Sequence, residues 1–490
     1  MLEHADSVRC ELAAHISQKR KSELGQFMTP ASVARFMAAL FPAKTMQTCR
    51  LLDAGAGVGA LSCAFLDRVA TGTLRFERIE ATAFEIDETL RTHLEKVLAS
   101  YPDRLVINPR VVVGDFIALA VHEILRGQAN YTHAIMNPPY KKISTGSQHR
   151  LELRRVGIET VNLYSAFVAL ALALLAPGGQ LVAIIPRSFC NGPYYRPFRN
   201  FVLERAAIRH MHLFDSRSKA FKDDDVLQEN VIIMLERGGE QRDVTITTST
   251  DDTFADMQTH MHSFNRIVFS DDAARFIHVP TSLERNAFEL SNAIHSTLED
   301  IGIKVSTGPV VDFRLRHHIR AMPEAGTVPL LYPGHFNGQA TVWPHLGMKK
   351  PNAIQRNAET EKWLYPNGSY CVVRRFSSKE ERRRIVASVV DPDAFSGAKV
   401  LGFENHLNVF HERKQGLPVE LAHGLMLFLN TTAVDEQFRR FNGHTQVNAT
   451  DLRLMKYPTR AALLTLGKWA MQRTALTQDM IDEQLAKMTA

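Results

Sequence analysis

The sequence has little cysteine, and its cysteines are far apart. Among 490 residues there are 5, none of them in a CxxC pair: Cys10, Cys49, Cys63, Cys190 and Cys371. A disulfide framework or a zinc ribbon needs closely spaced cysteines. The pattern therefore argues against both and favours a reducing compartment, with no metal site.

Long apolar runs are lacking as well. The first 26 residues contain no apolar core of the kind that a signal peptide needs. The most apolar stretch, residues 166–186, is interrupted by Pro177, Gly178 and Gly179. This predicts a buried helix, a turn and a buried strand rather than a membrane span. We therefore expect a cytoplasmic protein with no membrane association.

The composition carries no strong bias. Hydrophobic residues make up 45% of the chain and charged residues 22%, which excludes a disordered, collagenous or coiled-coil protein. The length predicts two or three domains.

The net charge of +6 is unevenly distributed. Residues 301–490 hold 25 Lys and Arg against 17 Asp and Glu, whereas residues 1–300 hold 33 against 35. A basic region suggests an anionic partner, most commonly nucleic acid. Solvated surface charge would explain the excess equally well.

Between about residues 45 and 240, short apolar runs alternate with helix-length segments. Strands are predicted at 49–53, 81–85, 110–115, 132–136 and 180–186, with a later antiparallel strand at 231–235. The alternation predicts an α/β fold with a Rossmann-like, doubly wound sheet, in which ligands bind beyond the carboxyl ends of the strands. Four strand ends carry polar side chains: Asp53, Glu85, Asp115 and Asn137.

The pattern changes after residue 236. Residues 245–300 are rich in Thr, Asp and Ser, which is typical of a connector. From about residue 305, short segments punctuated by Pro and Gly predict a smaller α+β domain. Residues 461–490 predict one or two helices.

A glycine loop follows the first predicted strand. Gly55 and Gly57 would let the backbone turn sharply and approach a nucleoside closely. Asp53 precedes the loop, and no Gly-Lys-Ser or Gly-Lys-Thr follows it. This argues against a phosphate-binding P-loop but leaves dinucleotide binding open.

The acids that follow the second and third strands each have two interpretations. Glu85 can hydrogen-bond the hydroxyls of a ribose, and Asp87 can cap the helix that follows it. We assign the ribose to Glu85 and the cap to Asp87. For Asp115, contact with an adenine amine and a helix cap remain equally open.

The most specific motif is Asn137-Pro138-Pro139-Tyr140, directly after the fourth strand. Two prolines stiffen the chain and leave carbonyl acceptors free. The Asn137 oxygen and the Pro138 carbonyl could hold both hydrogens of a planar amine, while Tyr140 stacks on its ring. A plain proline turn is the alternative, but the position after this strand favours the functional interpretation.

A further segment, Gly-Gln-Phe-Met-Thr-Pro at residues 25–30, precedes a predicted amphipathic helix over 31–40. Thr29 as the helix cap and Pro30 at the first helical position would explain it fully. A functional interpretation depends on the order of motifs in the whole chain.

In this order, the motifs resemble those of the S-adenosyl-L-methionine-dependent DNA adenine-N6 methyltransferases, and more narrowly the gamma class of restriction–modification systems. Segment 25–30 comes first, the glycine loop at 53–57 second and residues 137–140 third. Residues 162–167, 177–179 and 220–231 resemble later motifs of the family. Residues 305–308, 311–314 and 443–453 resemble, more weakly, segments that bound a target-recognition domain.

The resemblance implies a division of the chain. An N-terminal helical segment over 1–44 would contribute to the cofactor site, and a class I methyltransferase domain would cover 45–245. A connector at 246–300, an α+β target-recognition domain at 301–460 and a helical tail at 461–490 would follow.

The resemblance also implies cofactor-binding residues. Thr29 and Pro30 would touch the methionine end of S-adenosyl-L-methionine, Glu85 its ribose and Asp115 its adenine. Asp53, Gly55 and Gly57 would line the pocket. Asp53 departs from the family, whose loop often begins with Phe or Pro, and could bind the cofactor or brace the loop.

The remaining roles concern the target adenine. Asn137, Pro138 and Pro139 would form the catalytic motif that holds the amine. Tyr140 would stack on the flipped base, and Phe221 would stack from the other side.

The implied partner is double-stranded DNA, with the adenine flipped out of the duplex and phosphate contacts supplying much of the affinity. Candidate contacts are Lys349, Lys350, Arg374 and Arg375. Residues 382–384, three arginines, are further candidates, although a solvated helix face paired with Glu380 and Glu381 explains them equally well. A cognate restriction endonuclease could act separately.

Other functions compete with this one. The Asn-Pro-Pro-Tyr chemistry also serves methylation of RNA or of a protein glutamine, although the large basic C-terminal region argues against the glutamine enzymes. A non-catalytic DNA-specificity module would not need the intact motif and glycine loop. A fused nuclease lacks support, since no persuasive PD-(D/E)xK constellation is present.

Overall fold

The structure, a computed structural model, divides the chain into two units, Met1–Leu283 and Glu284–Ala490. It describes residues 1–15, 28–43, 45–101, 106–128, 130–215, 229–285, 287–337, 340–395 and 397–489. The boundary between the units falls within the segment 246–300. The finer division into five segments stays a prediction.

The first unit is built on one nine-stranded sheet. Its strands are β1 (Thr45–Ala54), β2 (Arg75–Phe84), β3 (Ile107–Val112), β4 (Tyr131–Met136), β5 (Leu175–Pro186), β6 (Ala206–Phe214), β7 (Asn230–Arg237), β8 (Val244–Ser249) and β9 (Gln258–His262). Their order in space is β3-β2-β1-β4-β5-β7-β6-β8-β9. Strands β1–β5 are parallel, whereas β7 runs antiparallel to β5 and β6. The predicted Rossmann-like, doubly wound fold is confirmed.

Helices cover both faces of this sheet, which explains why its central strands are continuous apolar runs. The helices are α1 (Leu2–His15), α2 (Ala31–Ala39), α3 (Ala60–Ala70), α4 (Glu88–Ala99), α5 (Phe116–Leu125), α6 (Gln148–Arg155), α7 (Leu163–Leu174) and α8 (Arg196–Arg205). Helices α5, α7 and α8 share one apolar core with the sheet, and α2, α3 and α4 share the other.

Two features of the first unit differ from the sequence prediction. Pro177, Gly178 and Gly179 lie within β5 instead of forming a separate turn, and the pairing of β5 with β4 shifts register there. Gly178 adopts a φ of +75°, which accommodates such an irregularity without a Cβ clash. The segment after residue 244, predicted as a connector, adds β8 and β9 to the sheet.

The carboxyl ends of β1, β2 and β4 lie side by side. Ala54 pairs with Phe84, and Leu52 pairs with Ala134. Strand order reverses between β1 and β4, because β2 and β3 lie on one side of β1 and β4 on the other. Doubly wound sheets bind ligands at this reversal.

The second unit has the predicted α+β architecture. Its strands are β10 (Ile294–Ser296), β11 (Lys304–Thr307), β12 (Ile319–Arg320), β13 (Thr327–Leu331), β14 (Phe336–Asn337), β15 (Ala340–Thr341), β16 (Ala353–Gln355), β17 (Leu364–Pro366), β18 (Tyr370–Arg374), β19 (Ala387–Val390), β20 (Val400–Phe403), β21 (Leu407–His411) and β22 (Tyr457–Pro458). The larger sheets have the orders β11-β21-β18-β19 and β12-β16-β13-β20-β17.

Six helices complete the second unit as described: α9 (Ala287–Leu290), α10 (Val419–Leu429), α11 (Thr432–Phe441), α12 (Ala449–Leu454), α13 (Arg460–Met471) and α14 (Gln478–Thr489). Helices α10 and α13 approach closely at Gly424 and Gly467, where a Cβ would collide with the carbonyl oxygens of Leu463 and Glu420. Across the described ranges, none of the helices has the length and apolarity to span a bilayer.

Candidate active site

A cavity of about 390 Å³ opens at the carboxyl ends of β1, β2 and β4. Its volume falls within the usual range for small-molecule sites, roughly 300–1,000 Å³. The residues predicted from sequence that line it are Thr29, Gly55, Gly57, Glu85, Asp115, Asn137 and Pro139. Pro30, Asp53, Pro138 and Tyr140 lie outside its lining. Phe221 and residues 25–27 lie outside the described residues.

The glycine loop forms one wall of the cavity and is tied to the end of β2. The amides of Gly55 and Ala56 both donate to the carbonyl oxygen of Phe84, at 2.9 Å each. Gly55 and Gly57 adopt φ values of +79° and +58°, in the left-handed region that glycine tolerates. The loop can therefore present bare backbone to a ligand.

Glu85 lies in the cavity wall, where its carboxylate is fixed by two backbone amides. Oε2 accepts from the Gly57 amide at 2.8 Å, and Oε1 accepts from the Asp87 amide at 2.7 Å. Burial raises the pKa of Glu85, and these hydrogen bonds oppose the rise. Asp87 caps α4 by accepting from Thr89 and Leu90, so the predicted division of roles places the cap correctly.

Asp53 braces the loop from beneath and is fully buried. Its Oδ2 accepts from the amide and the hydroxyl of Ser62, at 3.2 and 2.7 Å, which ties the end of β1 to α3. Burial raises the pKa of Asp53 to about 7, against the lowering effect of the Ser62 hydrogen bonds. Of the two roles open from sequence, this geometry fits bracing.

Asp115 is confirmed as a helix cap, and its contact with an adenine amine stays a prediction. It caps α5 by accepting from the Ile117 amide at 2.9 Å, and it also lines the cavity. Its Oδ2 lies 2.5 Å from Nε2 of His149, a residue of α6 that also lines the cavity. Sequence reasoning missed His149, because 34 residues separate it from Asp115 and α6 carries no motif.

Asn137 is held by hydrogen bonds on both sides of its amide. Nδ2 donates to Oγ1 of Thr29 at 3.1 Å. Oδ1 accepts from the hydroxyl of Tyr140 at 3.0 Å, and the same hydroxyl lies 3.2 Å from the carbonyl oxygen of Ile184 in β5. Burial raises the pKa of Tyr140 strongly, so its hydroxyl remains a donor. The network fixes the orientation of the Asn137 amide.

The capping interpretation of Thr29 and Pro30 is wrong. Pro30 itself occupies the N-cap of α2, and the Ala31 amide at the start of the helix donates to the Asp6 carboxylate at 3.1 Å instead of to Thr29. The Thr29 hydroxyl is buried and faces Asn137 instead. The segment before the sheet therefore contributes directly to the site formed by the strand ends.

The loop after Tyr140 is attached to the start of α7. The carbonyl oxygen of Lys141 accepts from the Leu163 amide at 2.8 Å, and the Ile143 amide donates to Val161 at 2.7 Å. The ring of Tyr140 meets Tyr164 edge-on, with 6.2 Å between centroids. The Asn-Pro-Pro-Tyr segment is consequently rigid at both ends.

Apolar side chains that sequence reasoning missed also line the cavity: Phe84, Ile86, Leu90, Phe116 and Phe167. Ile86 is 60% exposed although it is apolar. The available signal in the sequence was the position of Ile86 directly after Glu85, the acid that follows β2. A flat apolar ligand group would remove this side chain from water. Within the described part of the chain, no cluster of His, Cys, Asp and Glu could hold a metal ion.

The four side chains predicted to contact phosphate in the second unit differ in whether they already bind other residues of the protein. Lys349 is exposed, and Lys350 lies 2.9 Å from Oδ2 of Asp312. Arg374 is ion-paired with Glu381. Arg375 donates to Asn405 and Gln446, so of the four only Lys349 carries no polar contact within the described residues.

The interpretation of residues 382–384 as a solvated helix face is wrong. No helix covers residues 380–386. Arg384 is buried, at 1% exposure, and its guanidinium donates to Asn442 Oδ1 at 2.9 Å and to the carbonyl oxygen of His444. Its burial also excludes it from contact with phosphate.

Comparison with known proteins identifies the family. The type II methyltransferase M.BsuBI of Bacillus subtilis is 50% identical over 496 residues, spanning 100% of this chain and 98% of that protein. The type II methyltransferase M.PstI of Providencia stuartii is 42% identical over 467 residues, spanning 94% and 91%. This chain belongs to the type II restriction–modification methyltransferases.

Two further comparisons bear on parts of this methyltransferase. The family model described as Eco57I restriction-modification methylase matches residues 76–221, which include Glu85 and the Asn-Pro-Pro-Tyr segment. The DrdV–DNA complex solved by cryoEM has a TM-score of 0.50 at 12% identity, covering 96% of this chain and 59% of that chain. The latter likeness concerns the fold alone.

Proposed function

We propose that this methyltransferase transfers a methyl group from S-adenosyl-L-methionine to the N6 amine of adenine in a specific sequence of double-stranded DNA. It would thus be a gamma-class enzyme. The observation that carries the proposal is the position of Asn137 in the wall of the cavity, with its amide held between Thr29 and Tyr140. A separate cognate restriction endonuclease remains a prediction.

The residues of the cavity fit S-adenosyl-L-methionine, which when bound supplies an electrophilic methyl group on a sulfonium. Glu85, fixed by two amides, would accept from the ribose hydroxyls. Asp115 would accept from the adenine amine, and Ile86 would cover the ring. The bare backbone of Gly55 would face the methionine end, and Thr29, which lines the cavity beside it, would orient Asn137.

Asn137 would act on the target amine through its side-chain oxygen. This oxygen, oriented by the Tyr140 hydroxyl, would accept one N–H of the amine, while the Pro138 carbonyl would accept the second. As the N–C bond formed and the carbon–sulfur bond of the sulfonium broke, positive charge would develop on nitrogen, and the fixed acceptors would stabilise it. The methylated amine would then lose one proton to solvent, so no strong general base is needed.

The target adenine must leave the duplex to reach these acceptors. Tyr140 would contact its ring, since the tyrosine is held in place by Asn137 and β5. Phe221 would contact the opposite face, a prediction that falls outside the described residues.

A transfer assay with the purified full chain tests the proposal. The protein would be incubated with deuterium-labelled S-adenosyl-L-methionine and either plasmid DNA from a host without DNA methylation or total RNA from the same host. Mass spectrometry of nucleosides should find labelled N6-methyladenine in the DNA alone. Label confined to RNA, to cytosine or to neither nucleic acid would contradict the proposal.

A further inference from the structure

Large apolar side chains in the second unit are exposed next to cations. Phe313 is 61% exposed and Phe376 is 43% exposed. The guanidinium of Arg314 lies 5.5 Å from the ring centroid of Phe313, and that of Arg375 lies 5.9 Å from the ring of Phe376. Clustered exposed apolar groups of this kind commonly mark a surface that binds a partner.

Backbone and side-chain contacts bring the segments of this surface together. The Asn405 amide donates to the carbonyl oxygen of Val310 at 2.9 Å, and the Arg375 amide donates to that of His406 at 2.8 Å. The ring of His406 lies 4.8 Å from that of Phe376. Together with the Lys350–Asp312 ion pair, these contacts place segments 310–316, 349–350, 374–376 and 404–406 next to one another. We call the residues that these segments present, Phe313, Arg314, Arg316, Lys349, Phe376 and His406, the aromatic–cationic patch.

A buried carboxylate fixes the centre of the aromatic–cationic patch. Glu404 is fully buried, and it accepts from the backbone amide of His406 at 2.9 Å and from its Nδ1 at 2.6 Å. Gly308 leaves no room for a Cβ against the Glu404 backbone. Burying a carboxylate is costly unless it is paired. Here the pairing orients the half-buried His406 ring beside Phe376.

The cations of the patch are available to a polyanion. Among the described residues, no carboxylate lies within salt-bridge distance of Arg314, Arg316 or Lys349. Lys350 differs because Asp312 holds it at 2.9 Å. Arg374 and Arg384, in contrast, are engaged within the unit.

We propose that the aromatic–cationic patch is a base-contacting surface for duplex DNA. Phe313 and Phe376 contact base edges or a base step in a groove, and Arg314, Arg316 and Lys349 contact the flanking phosphates. Phenylalanine reads apolar base groups such as the thymine methyl, whereas phosphate contacts carry no sequence information. The assignment rests on the proposed function, because it takes duplex DNA as the substrate.

Binding measurements on the full chain test the assignment. Modification-sensitive sequencing of host DNA first identifies the methylated sequence. Fluorescence anisotropy then compares a short duplex carrying that sequence with a duplex in which it is scrambled. Phe313→Ala and Phe376→Ala should each weaken binding to the first duplex about 10-fold or more, and to the scrambled duplex less than about 2-fold. Arg314→Gln and Lys349→Gln should weaken both duplexes alike and lower the slope of log affinity against log salt by about 1.

Matched controls come from the same unit. Leu290→Ala removes an equally exposed apolar side chain, and Lys468→Gln removes an exposed cation on α13; both should behave like the wild type. The assignment is overturned if the Phe variants bind both duplexes like the wild type, or weaken both equally. It is also overturned if only RNA competes for the patch. A wild-type protein that leaves host DNA unmethylated would instead refute the proposed function itself.

Discussion

The two units hold their candidate functional side chains in opposite ways. In the first unit, Glu85 and Asn137 line a cavity, and hydrogen bonds fix the side chain of each. In the second, Phe313 and Phe376 are exposed, and the buried Glu404 fixes His406, whose ring lies beside Phe376. Methyl transfer needs an enclosed, preorganised site, whereas reading a duplex needs exposed groups that can reach a groove. Substitutions in the first unit should therefore cause large losses of methyl transfer or cofactor binding. Substitutions in the second should weaken DNA binding by smaller, graded amounts.

The largest effect is expected for Asn137→Ala. Removing the acceptor should lower the rate of transfer by roughly 1,000-fold, in the range seen when a single preorganised polar group is removed. Affinity for S-adenosyl-L-methionine, measured by calorimetry, should stay within about 2-fold, because the change leaves the glycine loop and Glu85 intact. Asn265→Ala, an exposed asparagine of the same unit, is the control. Activity of Asn137→Ala within a few-fold of wild type would refute this account of the amine.

A smaller effect is expected for Glu85→Ala. Loss of a fixed carboxylate acceptor should weaken binding of S-adenosyl-L-methionine about 10- to 100-fold, the range for hydrogen bonds to charged groups. The rate at saturating cofactor should change less than the affinity. Glu88→Ala, at an exposed carboxylate of α4, serves as the control. Unchanged calorimetric affinity in Glu85→Ala would remove Glu85 from the cofactor site.

Thr29→Val tests whether Thr29 orients Asn137 for catalysis instead of contacting the cofactor itself. The change removes the acceptor for Nδ2 of Asn137 while nearly preserving shape. We expect kcat to fall about 10-fold, because a less well oriented Asn137 amide would stabilise the transition state by about 1.4 kcal/mol less. The KM for S-adenosyl-L-methionine should stay nearly constant. Thr29→Ser should restore kcat. A proportional rise in KM, or no rescue by serine, would favour a role in cofactor binding instead.

Asp53→Asn tests whether the buried carboxyl group beneath the glycine loop makes the stability of the protein depend on pH. The folded pKa of Asp53, about 7, lies above the ordinary value of 3.8. The folded state therefore binds the extra proton, and wild-type stability falls as pH rises from about 4 to 7. The amide that replaces the carboxyl group cannot titrate, so the melting temperature of the variant relative to wild type should be higher at pH 8 than at pH 5. The same comparison for Asp243→Asn, at an exposed site, should show no such change. If the difference in melting temperature between Asp53→Asn and the wild type did not change with pH, burial would not raise the pKa of Asp53 as described.

The smallest effect is expected for cofactor binding by a variant of the second unit. Phe376→Ala should leave calorimetric affinity for S-adenosyl-L-methionine within about 2-fold of wild type, since Phe376 lies in the second unit and the cavity lies wholly in the first. A loss comparable to that of Glu85→Ala would show that the two functions are not divided between the units in this way.

Much of the first unit could be predicted from sequence because strand ends in a doubly wound sheet converge. Glu85, Asp115 and Asn137 each end or follow a predicted strand, and all three line one cavity. The cap at Asp87 could be predicted because its partners are the next residues along the chain.

Contacts between distant parts of the chain could not be predicted. Thr29 meets Asn137 across 108 residues, and only packing of α2 against the sheet brings them together. Asp53 was placed in the pocket because its sequence position allows it, whereas Ser62 and α3 turn it inward. The burial of Arg384 follows from α11 and the loop after it, since Asn442 and His444 receive its guanidinium. Charge counts cannot distinguish such an arginine from an exposed one.

Activation of adenine amines in duplex DNA by Asn137 can be measured in living cells. A host that lacks adenine methylation would express either the wild type or Asn137→Ala at equal levels, and nucleosides from its genomic DNA would be analysed by mass spectrometry. We expect N6-methyladenine, confined to one sequence context, with the wild type and none with the variant. DNA without N6-methyladenine in both cultures, N4-methylcytosine in its place, or equal N6-methyladenine with the variant would contradict it.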